Sequence, residues 1–598
     1  MNRQPYDGGM IDYAALDSSI GHDWYELDPD LRARVARDCP ADDRDYTEAK
    51  LHDFGTLIGT RIAPNAEVID ANPPQLVRFD RWANEIGTIE HHPATIDSKQ
   101  ALWASGYVSG FAADEKQRGR PSPGVVYAGT SYLLSQADTG LVCSTGMTGG
   151  VAGLVAAYAP PDVRDRLLAG LRADTFEDGL DGSMFLTERD GGSDLGRTVH
   201  CTARDIGDGR VLIDGEKWFC SNIDGAAIVM LARPEGAVDG PRGLGLYLVP
   251  RYLDDGTPNN YTMRRLKPKL GTKSVPTGEV EFEGAVGYAL RGREGAGGEA
   301  GRRPGEEGRG TNSDAGGLNR MMEMVNGSRF GIAMMGLGIA RRCFLEAAIW
   351  AHHRQAKGRF LVDLPLAREQ LVDMQADLEA AFALGFECSA ASRQADGLRL
   401  RRILIPAAKV RLCRYGIEAA TLAIEFHGGN GYCEDWHLTR QLRDAQCHTI
   451  WEGTDNICAL DVLRAIRRDE AHHAAFDRIE TALTAAATSG PGFVTSAVET
   501  VAHAVAQLHS RVDKLGDLDP DTAEAGAGRL TNLLATTVSA ALLLEQSVDN
   551  PRKALVAVRY TRRHLNGGGW DDHIAEVAGR DILAHADISE KEAATAAA

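Results

Sequence analysis

The spacing of apolar residues divides the chain into a helical first part, a middle part of short β-type runs and a long helical remainder. In the first part, apolar side chains recur at helical spacing over 48–61, 96–113, 127–139 and 151–158. Asn72-Pro73-Pro74 breaks this pattern, and Pro160-Pro161-Asp162 starts one more helix. We therefore predict an N-terminal helical domain over residues 1–182.

Short runs rich in β-forming residues follow, separated by Gly, Pro, Asp and Asn. They lie at 211–213, 227–231, 244–249, 261–266 and 280–282. Strands and helices do not alternate here, and no Gly-x-Gly-x-x-Gly follows a strand, which argues against a doubly wound dinucleotide-binding fold. The pattern predicts a small all-β domain over residues 183–290.

The rest of the chain is helical after one biased segment. Residues 291–317 consist mainly of Gly, Arg and Glu and predict a flexible surface insertion. Long helices are predicted at 318–354, 366–393 and 402–426, and helices of this length pack most simply as a bundle, here over 318–470. Ala-rich helical segments at 494–515, 529–548 and 551–565 predict an appended C-terminal extension over 471–598.

Charge and cysteine content narrow the class of protein. The formal net charge of −19 argues against a general nucleic-acid or membrane-surface role, because phosphate binding is driven by basic patches. The ten cysteines show no CxxC pair and no zinc-type spacing, so we expect neither a disulfide framework nor a metal site. The sequence predicts neither an apolar signal core nor a stretch of membrane-spanning length, and we expect a soluble, cytoplasmic protein.

One candidate for acid–base chemistry lies in the stretch His448-Thr449-Ile450-Trp451-Glu452-Gly453-Thr454-Asp455-Asn456. An aromatic neighbour excludes water, and loss of water raises the pKa of a carboxyl. Glu452, between Trp451 and Gly453, would therefore suit removal of a proton next to a carbonyl. The alternative is an ordinary helix-capping or loop acid.

Two further stretches carry weaker signals. Residues 186–196 (LTERDGGSDLG) offer small residues, free backbone N–H groups and the hydroxyls of Thr187 and Ser193, which suit an anion, although a surface turn has the same composition. Residues 214–222 (DGEKWFCSN) predict an aromatic-rich strand that enters a turn, and its aromatics could equally belong to a core. The three stretches, found together and in this order, are a more specific indication of function than any one of them alone.

In this combination the sequence resembles the acyl-CoA dehydrogenase superfamily over about residues 95–465. Residues 187–194 are similar to its TEpxaGSD signature, 217–222 to its KxWITN strand, 428–432 to its GGxGY turn and 451–454 to its (Y/W)EGT motif. Residues 71–80, 91–93 and 431–434, together with the C-terminal extension, resemble the AidB-like (adaptive-response) branch.

The resemblance implies an α+β fold with an N-terminal helical domain, a middle β-barrel and a C-terminal helical bundle, followed by the appended extension. It implies that FAD lies between barrel and bundle and at a subunit contact. A homo-oligomer, commonly a tetramer built as a dimer of dimers, is therefore expected. No metal is implied.

The resemblance also assigns roles to individual residues. Leu186 and Thr187 would bond the flavin pyrimidine edge, Gly192 and Ser193 the pyrophosphate, and Phe219 and Ser221 the isoalloxazine. The expected FAD-binding residues are Leu186, Thr187, Gly192, Ser193, Phe219, Ser221, Arg354, Gly428, Gly429, Thr454 and Asn456. Arg354 would reach the cofactor of a neighbouring subunit, with a solvated arginine at a helix end as the alternative.

Glu452 falls on the catalytic base of the family. The implied reaction removes the α proton of an acyl-CoA thioester, a hydride leaves the β-carbon for flavin N5, and the Glu452 N–H helps to polarise the thioester carbonyl. Some members place the base on an earlier helix, but Ser328 occupies that position here. Arg329 and Gly453 are expected near the substrate, although Arg329 could instead be paired within the bundle.

Two residues depart from the family pattern. Lys357 stands where a phenylalanine packs on FAD, and Glu425 stands where a glutamine contacts it. A carboxylate near a pyrophosphate is unfavourable unless a cation pairs with it. We hypothesise that Lys357 is that cation.

The leading hypothesis is an acyl-CoA dehydrogenase, for short or branched acyl groups, that passes electrons to an electron-transfer flavoprotein or similar acceptor. The alternatives are an AidB-type DNA-associated alkylation-response flavoprotein and a flavin oxidase or monooxygenase. The basic residues that could contact DNA phosphates are Arg552, Lys553, Arg559, Arg562 and Arg563. Acidic residues outnumber basic ones across the extension, which favours a solvated face or an oligomer contact.

Overall fold

The computed structural model describes residues 5–7, 9–291, 316–391, 397–567 and 572–598. The predicted insertion at 291–317 lies almost entirely outside these residues. The chain forms two compact units, one of residues 1–64, 123–137 and 329–598 and one of residues 65–122 and 138–328. The division into five segments stays a prediction.

The α-helices account for most of the described chain. They are α1 (Pro29–Asp38), α2 (Arg44–Leu57), α3 (Ala63–Ala71), α4 (Pro93–Ala104), α5 (Ala112–Arg118), α6 (Gly124–Ala137), α7 (Thr139–Tyr158), α8 (Pro161–Leu171), α9 (Leu195–Thr198), α10 (Gly317–His353), α11 (Pro365–Ala390), α12 (Gly397–His427), α13 (Leu438–His448), α14 (Asp455–Asp469), α15 (His472–Ser489), α16 (Thr495–Lys514), α17 (Pro520–Gln546), α18 (Pro551–Leu565), α19 (Ile574–Ala584) and α20 (Glu590–Ala597). The predicted helical segments overlap α2, α4, α6, α7, α8, α10, α11, α12, α16, α17 and α18.

The strands are short and concentrated in the middle of the chain. They are β1 (Tyr6–Asp7), β2 (Met10–Ile11), β3 (Gln75–Phe79), β4 (Glu85–Glu90), β5 (Gly182–Phe185), β6 (Thr202–Gly207), β7 (Arg210–Ser221), β8 (Ala227–Pro234), β9 (Gly245–Pro250), β10 (Tyr261–Leu266), β11 (Thr277–Ala289), β12 (Gln355–Ala356) and β13 (Arg359–Phe360). The predicted order of a helical beginning, an all-β middle and a helical remainder is confirmed.

In the unit that contains residues 138–328, the strands close on themselves. β11 pairs with β7, β7 with β6, β6 with β8, β8 with β9, and β9 again with β11, so the circuit is complete. β10 extends it beside β11, and β5 joins β8 in parallel. The inward side chains, such as Ile213, Met230 and Phe282, form one buried core. The middle domain is therefore a mixed barrel.

A β-hairpin that the helical pattern did not predict follows the Asn72-Pro73-Pro74 break. β3 and β4 pair antiparallel, and Leu76 and Ile89 pack against the barrel core. The ladder places Leu76 opposite Ile89. The run was missed because its two strands are short and mostly exposed.

The helices of the other unit pack against neighbours that are both adjacent and distant along the chain. α12 contacts α11, α13 and α14, and α17 of the extension contacts α11, α14, α15 and α18. The predicted bounds of α18, 551–565, coincide with the observed ones. The extension is therefore packed onto the bundle within this unit.

Five basic residues of α18 were candidates for phosphate contact, and the structure places all of them in contacts within the chain. Their partners are Glu379 for Arg552 at 2.7 Å, Asp30 for Lys553 at 2.8 Å, Asp373 for Arg559 at 2.8 Å, the carbonyl of Ala597 for Arg562 at 2.6 Å, and Asp377 for Arg563 at 3.0 Å. Four of these cations therefore anchor the extension to acidic residues elsewhere in the same unit, and Arg562 joins two helices of the extension.

Two of the described helices, α7 and α17, are long and apolar enough to cross a membrane by length and composition, so the expectation of no such stretch is wrong in this respect. In the most apolar window of each, 61% and 72% of the residues are buried inside the protein. Buried core helices pass the same test, because their apolar faces contact other helices and strands.

Candidate active site

The loop that carries Leu186 and Thr187 is fixed to strand β7 of the barrel. The Trp218 N–H donates to the Thr187 carbonyl over 2.9 Å, and the Lys217 ammonium donates to the Leu186 carbonyl over 3.2 Å. Lys217 also forms a 2.7 Å ion pair with Glu188. The loop and the aromatic strand are therefore held in one fixed arrangement.

Glu188 belongs to the signature stretch, but its side chain points into the barrel. The residue is 3% exposed, and its carboxylate accepts hydrogen bonds from the backbone N–H groups of His200 and Cys201. Because Lys217 is fully buried as well, the pair replaces water with complementary charges and N–H donors. The sequence analysis did not predict this ion pair. The signal that could have revealed it is Lys217, a lysine within a run of β-forming residues.

Gly192 lies against Thr187, and Phe219 exposes its ring, next to the loop and strand just described. A Cβ at Gly192 would lie 2.5 Å from the Thr187 hydroxyl oxygen, so a larger residue would displace the Thr187 side chain. The Phe219 side chain is 54% exposed although it lies on a barrel strand, and the Lys267 ammonium lies 4.9 Å from its ring. Ser193 is exposed, and the Ser221 hydroxyl contacts Thr277 at 3.0 Å. This part of the barrel therefore presents an exposed aromatic ring, a cation beside it and an exposed hydroxyl.

In the other unit, Glu452 lies on a sharp turn between α13 and α14. Its φ is +54°, a left-handed conformation that is rare outside glycine, and Gly453 follows with φ +103°. A Cβ at Gly453 would lie 2.9 Å from the Ile457 side chain. Both the backbone angle and the available space therefore require glycine after the acid.

Arg329 of α10 holds this turn from the bundle interior. Its Nε donates to the Glu452 carbonyl over 2.9 Å, and its Nη1 lies 2.7 Å from the carboxylate of Asp461. A left-handed non-glycine residue costs about 1–2 kcal/mol, and a hydrogen bond from a charged donor contributes about 1.5–3 kcal/mol. The contact offsets the backbone strain. Arg329 is therefore both paired within the bundle and next to the candidate base.

A second cation, Lys409 of α12, holds the next carbonyl of the same turn. Its ammonium donates to the Gly453 carbonyl over 2.6 Å, and the residue is fully buried. Sequence reasoning missed Lys409, because a lysine within a long helix usually lies on a solvated face.

Burial raises the pKa of the Glu452 carboxyl to about 7, while Arg329 and Lys409 lower it. The ordinary value is about 4.5, so the group titrates near neutral pH. Burial, with a contribution from Lys409, lowers the pKa of His448 to about 3, so this buried imidazole is neutral at physiological pH. The arrangement provides one carboxyl that can accept a proton near pH 7.

The remaining predicted site residues of the helical unit lie around the turn and at helix ends. Thr454 and Asn456 are exposed at the start of α14, and Gly428 and Gly429 begin the 3-10 turn after α12. Arg354 is exposed directly after α10.

Lys357 and Glu425 are both exposed, and they form no ion pair with each other within the part of the chain that the structure describes. Lys357 has φ +54° and, with Gly358, forms the turn between β12 and β13. The hypothesised pairing is therefore not made within one chain.

The predicted site residues fall into two groups, one in each unit. The barrel-containing unit carries Leu186, Thr187, Gly192, Ser193, Phe219 and Ser221. The helical unit carries Arg329, Arg354, Gly428, Gly429, Glu452, Gly453, Thr454 and Asn456.

Comparison with known protein families matches three consecutive regions of the chain. The "Acyl-CoA dehydrogenase, C-terminal domain" matches residues 315–467, the "Acyl-CoA dehydrogenase, middle domain" residues 183–285, and the "Adaptive response protein AidB N-terminal domain" residues 17–178. The middle match contains the predicted site residues of one unit, and the C-terminal match contains those of the other.

Individual relatives belong to the same group of proteins as these family matches. The AidB protein of Escherichia coli (strain K12) is 32% identical over 455 residues, which cover 74% of this chain and 78% of the relative. The crystal structure of Caenorhabditis elegans ACDH-11 in complex with C11-CoA superposes with a TM-score of 0.83 at 25% identity and covers 94% of both chains. Butyryl-CoA dehydrogenase from Megasphaera elsdenii, with a TM-score of 0.56 and 21% identity over 72% of this chain and 99% of its own, shares the fold.

Members of this family are flavoproteins with FAD as the usual cofactor. The chain combines their middle and C-terminal domains with the AidB-type N-terminal domain. It therefore belongs to the acyl-CoA dehydrogenase family of flavoprotein oxidoreductases, and within that family to the AidB-like branch.

Proposed function

We propose that this protein is an FAD-dependent acyl-CoA dehydrogenase that desaturates an acyl-CoA thioester between its α and β carbons, with Glu452 as the base. The supporting observation is the Glu452 carboxyl itself. It lies on a strained turn that two cations hold through backbone carbonyls, and burial raises its pKa to about 7. An acid of this pKa accepts a proton efficiently near neutral pH.

In this proposal the ionised carboxylate of Glu452 takes the α proton of the substrate. The backbone N–H of Glu452, which has no hydrogen-bond acceptor among the described residues, donates to the thioester carbonyl and stabilises the negative charge that develops there. Bound FAD supplies the acceptor for the hydride that leaves the β-carbon. Arg329 keeps the turn, and with it the carboxylate and the N–H, in one position.

The same proposal assigns the cofactor to the residues that the family pattern selects. Leu186 and Thr187 are held on β7 by Lys217 and Trp218, so their backbone groups are fixed before any ligand binds. Phe219 offers an exposed aromatic ring on the same strand. Gly428, Gly429, Thr454, Asn456 and the exposed Arg354 are also assigned to the cofactor, as the family pattern implies.

The substrate is assigned as an acyl-CoA, which the C11-CoA complex of the worm relative supports. The AidB-like sequence features favoured short or branched acyl groups, whereas the ligand of this relative is a C11 thioester. A substrate survey must therefore cover both classes. We assign the electrons to an electron-transfer flavoprotein or similar acceptor and the active form to a homo-oligomer, a dimer of dimers.

The DNA-associated alternative depended on five basic residues of α18. Because Arg552, Lys553, Arg559, Arg562 and Arg563 all contact acidic or backbone groups of their own unit, they offer little free charge to phosphates. The intact Glu452 also favours the dehydrogenase.

The proposal is tested by anaerobic titration of the purified flavoprotein with short, branched and C11 acyl-CoAs, alongside the Glu452→Gln variant. Bleaching of the flavin by one thioester, lost in the variant, is the expected result. Bound FAD that no thioester reduces would favour the oxidase or DNA-associated alternatives, and duplex DNA binding would then be measured across a salt series. A protein that cannot bind FAD would refute the cofactor assignment.

A further inference from the structure

Lys409 is a buried cation whose ammonium bonds a backbone carbonyl in the turn of the candidate base. It lies in the middle of α12, is fully buried, and donates to the Gly453 carbonyl over 2.6 Å. No ion pair of Lys409 is observed among the described residues. A buried ammonium without a carboxylate partner is costly to desolvate, so its retention calls for a function.

The carbonyls of Glu452 and Gly453 are bonded by two cations from different helices, Arg329 of α10 and Lys409 of α12. Both residues of the turn have positive φ, so the turn is not a conformation that the backbone adopts without support. Fixing successive peptide groups from two sides restricts both the Glu452 side chain and its N–H.

We propose that Lys409 is a positioning residue for the Glu452 base, which fixes the turn through the Gly453 carbonyl and favours the ionised carboxylate through its charge. The inference rests on the proposed function, because it assigns a task to Lys409 in the same reaction. Lys409 contacts the turn that carries the base, and no contact with the substrate or the cofactor is assigned to it.

The charges around the turn agree with this assignment. Arg329 and Lys409 face Glu452 from α10 and α12, and both lower the pKa of a carboxyl that burial raises to about 7. The three acids on α14 pair with arginines, Asp461 with Arg329 at 2.7 Å and Arg402 at 2.9 Å, Asp455 with Arg414 at 2.5 Å, and Asp469 with Arg402 at 2.8 Å.

His448 at the end of α13 is buried, and neither of its ring nitrogens has a hydrogen-bond partner among the described residues. Burial and Lys409 lower the pKa of His448 to about 3, so it adds no charge near neutral pH. Lys409 and Arg329 are therefore the cations that act on the base.

Two substitutions separate the hydrogen bond of Lys409 from its charge. Lys409→Gln keeps an N–H donor but removes the charge, whereas Lys409→Met removes both. Arg402→Gln is the matched control, because Arg402 lies two turns earlier on α12 and pairs with Asp461 and Asp469 without touching the turn.

The first readout is the pH dependence of flavin reduction by the acyl-CoA. Both Lys409 variants are expected to raise the midpoint by about one pH unit, since a nearby opposite charge lowers a carboxyl pKa by about 1–3 units. At pH values above the new midpoint, Lys409→Met is expected to be about 100-fold slower, because a misplaced base is inefficient, and Lys409→Gln to recover most of the rate. KM should change little in either variant.

The second readout needs no turnover. Infrared titration follows the protonated-carboxyl band that Glu452→Gln removes, and this band should titrate at higher pH in both Lys409 variants but not in Arg402→Gln. Unchanged titration in Lys409→Gln and Lys409→Met would overturn the inference even if acyl-CoA reduces the flavin. If the band shifts but no acyl-CoA reduces the flavin, the charge of Lys409 does lower the pKa of Glu452. The proposed function would then be refuted.

Discussion

The Nε of Arg329 donates to the carbonyl oxygen of Glu452 over 2.9 Å, and the same guanidinium is held by Asp461 over 2.7 Å. The contact joins the longest helix of the described chain to the turn that carries the candidate base. Because the bond reaches the backbone, the carboxyl group remains free to accept a proton. Arg329 therefore acts on the position of the base.

Replacing Arg329 should impair catalysis through geometry. In Arg329→Gln the Glu452 carbonyl loses its charged donor and Asp461 loses one of its cations, so the left-handed turn is less restrained. We expect flavin reduction by acyl-CoA to slow about 100-fold, the order of effect of a misplaced catalytic group. Stopped-flow absorbance measures this rate directly.

The control for this variant is Arg464→Gln. Arg464 contacts the same Asp461 at 3.1 Å, but its side chain is 54% exposed. A surface pair contributes little, so this variant should reduce its flavin at nearly the wild-type rate. Equal rates in wild type and Arg329→Gln would contradict the role given to Arg329.

Removing the buried charge inside the barrel should cost both stability and flavin. Glu188→Gln leaves Lys217 buried beside a neutral amide, and loss of one partner of a buried ion pair costs about 3–5 kcal/mol of unfolding free energy. The loop at Leu186 and Thr187 is bonded to the same lysine and strand, so FAD content should fall as well. Denaturant unfolding and the flavin absorbance of the purified protein check the two effects.

Glu216→Gln serves as the comparison, since Glu216 also lies on β7 but pairs with Arg189 and Arg264, whose side chains are 61% and 28% exposed. It should keep the wild-type flavin content. Loss of flavin in both variants to the same degree would argue against a specific role of the Glu188–Lys217 pair.

The C-terminal extension should depend on Glu379 for its attachment. This carboxylate on α11 pairs with Arg552 at 2.7 Å and also contacts Lys553, and its side chain is fully buried. Burial alone would raise the pKa of Glu379, but Arg552 and Lys553 hold it below its ordinary value of 4.5. A lowered folded-state pKa contributes stability above about pH 4.5 that is lost as the pH falls.

Glu379→Gln should therefore lower the unfolding free energy by about 3–5 kcal/mol near neutral pH and flatten its decline in acid. Glu369→Gln is the control, because Glu369 is 39% exposed and its partner Arg559 keeps Asp373 at 2.8 Å. Guanidinium unfolding monitored at several pH values measures both. Equal stability of the two variants would refute the anchoring role.

The sequence was most informative where local pattern and long-range packing agree. The bounds predicted for α18 and β10 coincide with the structure, because Asn550-Pro551 marks the start of α18, and Asn259-Asn260 and Pro268 flank β10. The stretch around Glu452 could be identified from its aromatic neighbour and glycine, and the left-handed turn explains that glycine.

The sequence was least informative about buried charges. Lys217, Glu188 and Lys409 are ordinary surface residue types by composition, and only the packing of separate segments shows that they are buried. The β3–β4 hairpin was missed for the opposite reason, since Phe79 and Trp82 are 51% and 69% exposed and produce no buried alternation. Whether such residues are buried or exposed depends on contacts with residues far away along the chain.

The central claim is that Glu452 removes the α proton, and its pH dependence tests this most directly. The anaerobic rate of flavin reduction by the best acyl-CoA would be measured between about pH 5 and pH 9 in wild type and in Glu452→Gln. Because the carboxylate is the active form and its pKa is about 7, the wild-type rate should rise through that pH and level off above it, and the variant should show neither the rise nor appreciable reduction. A Glu452→Gln variant that reduces its flavin at the wild-type rate with the same pH profile would contradict the assignment.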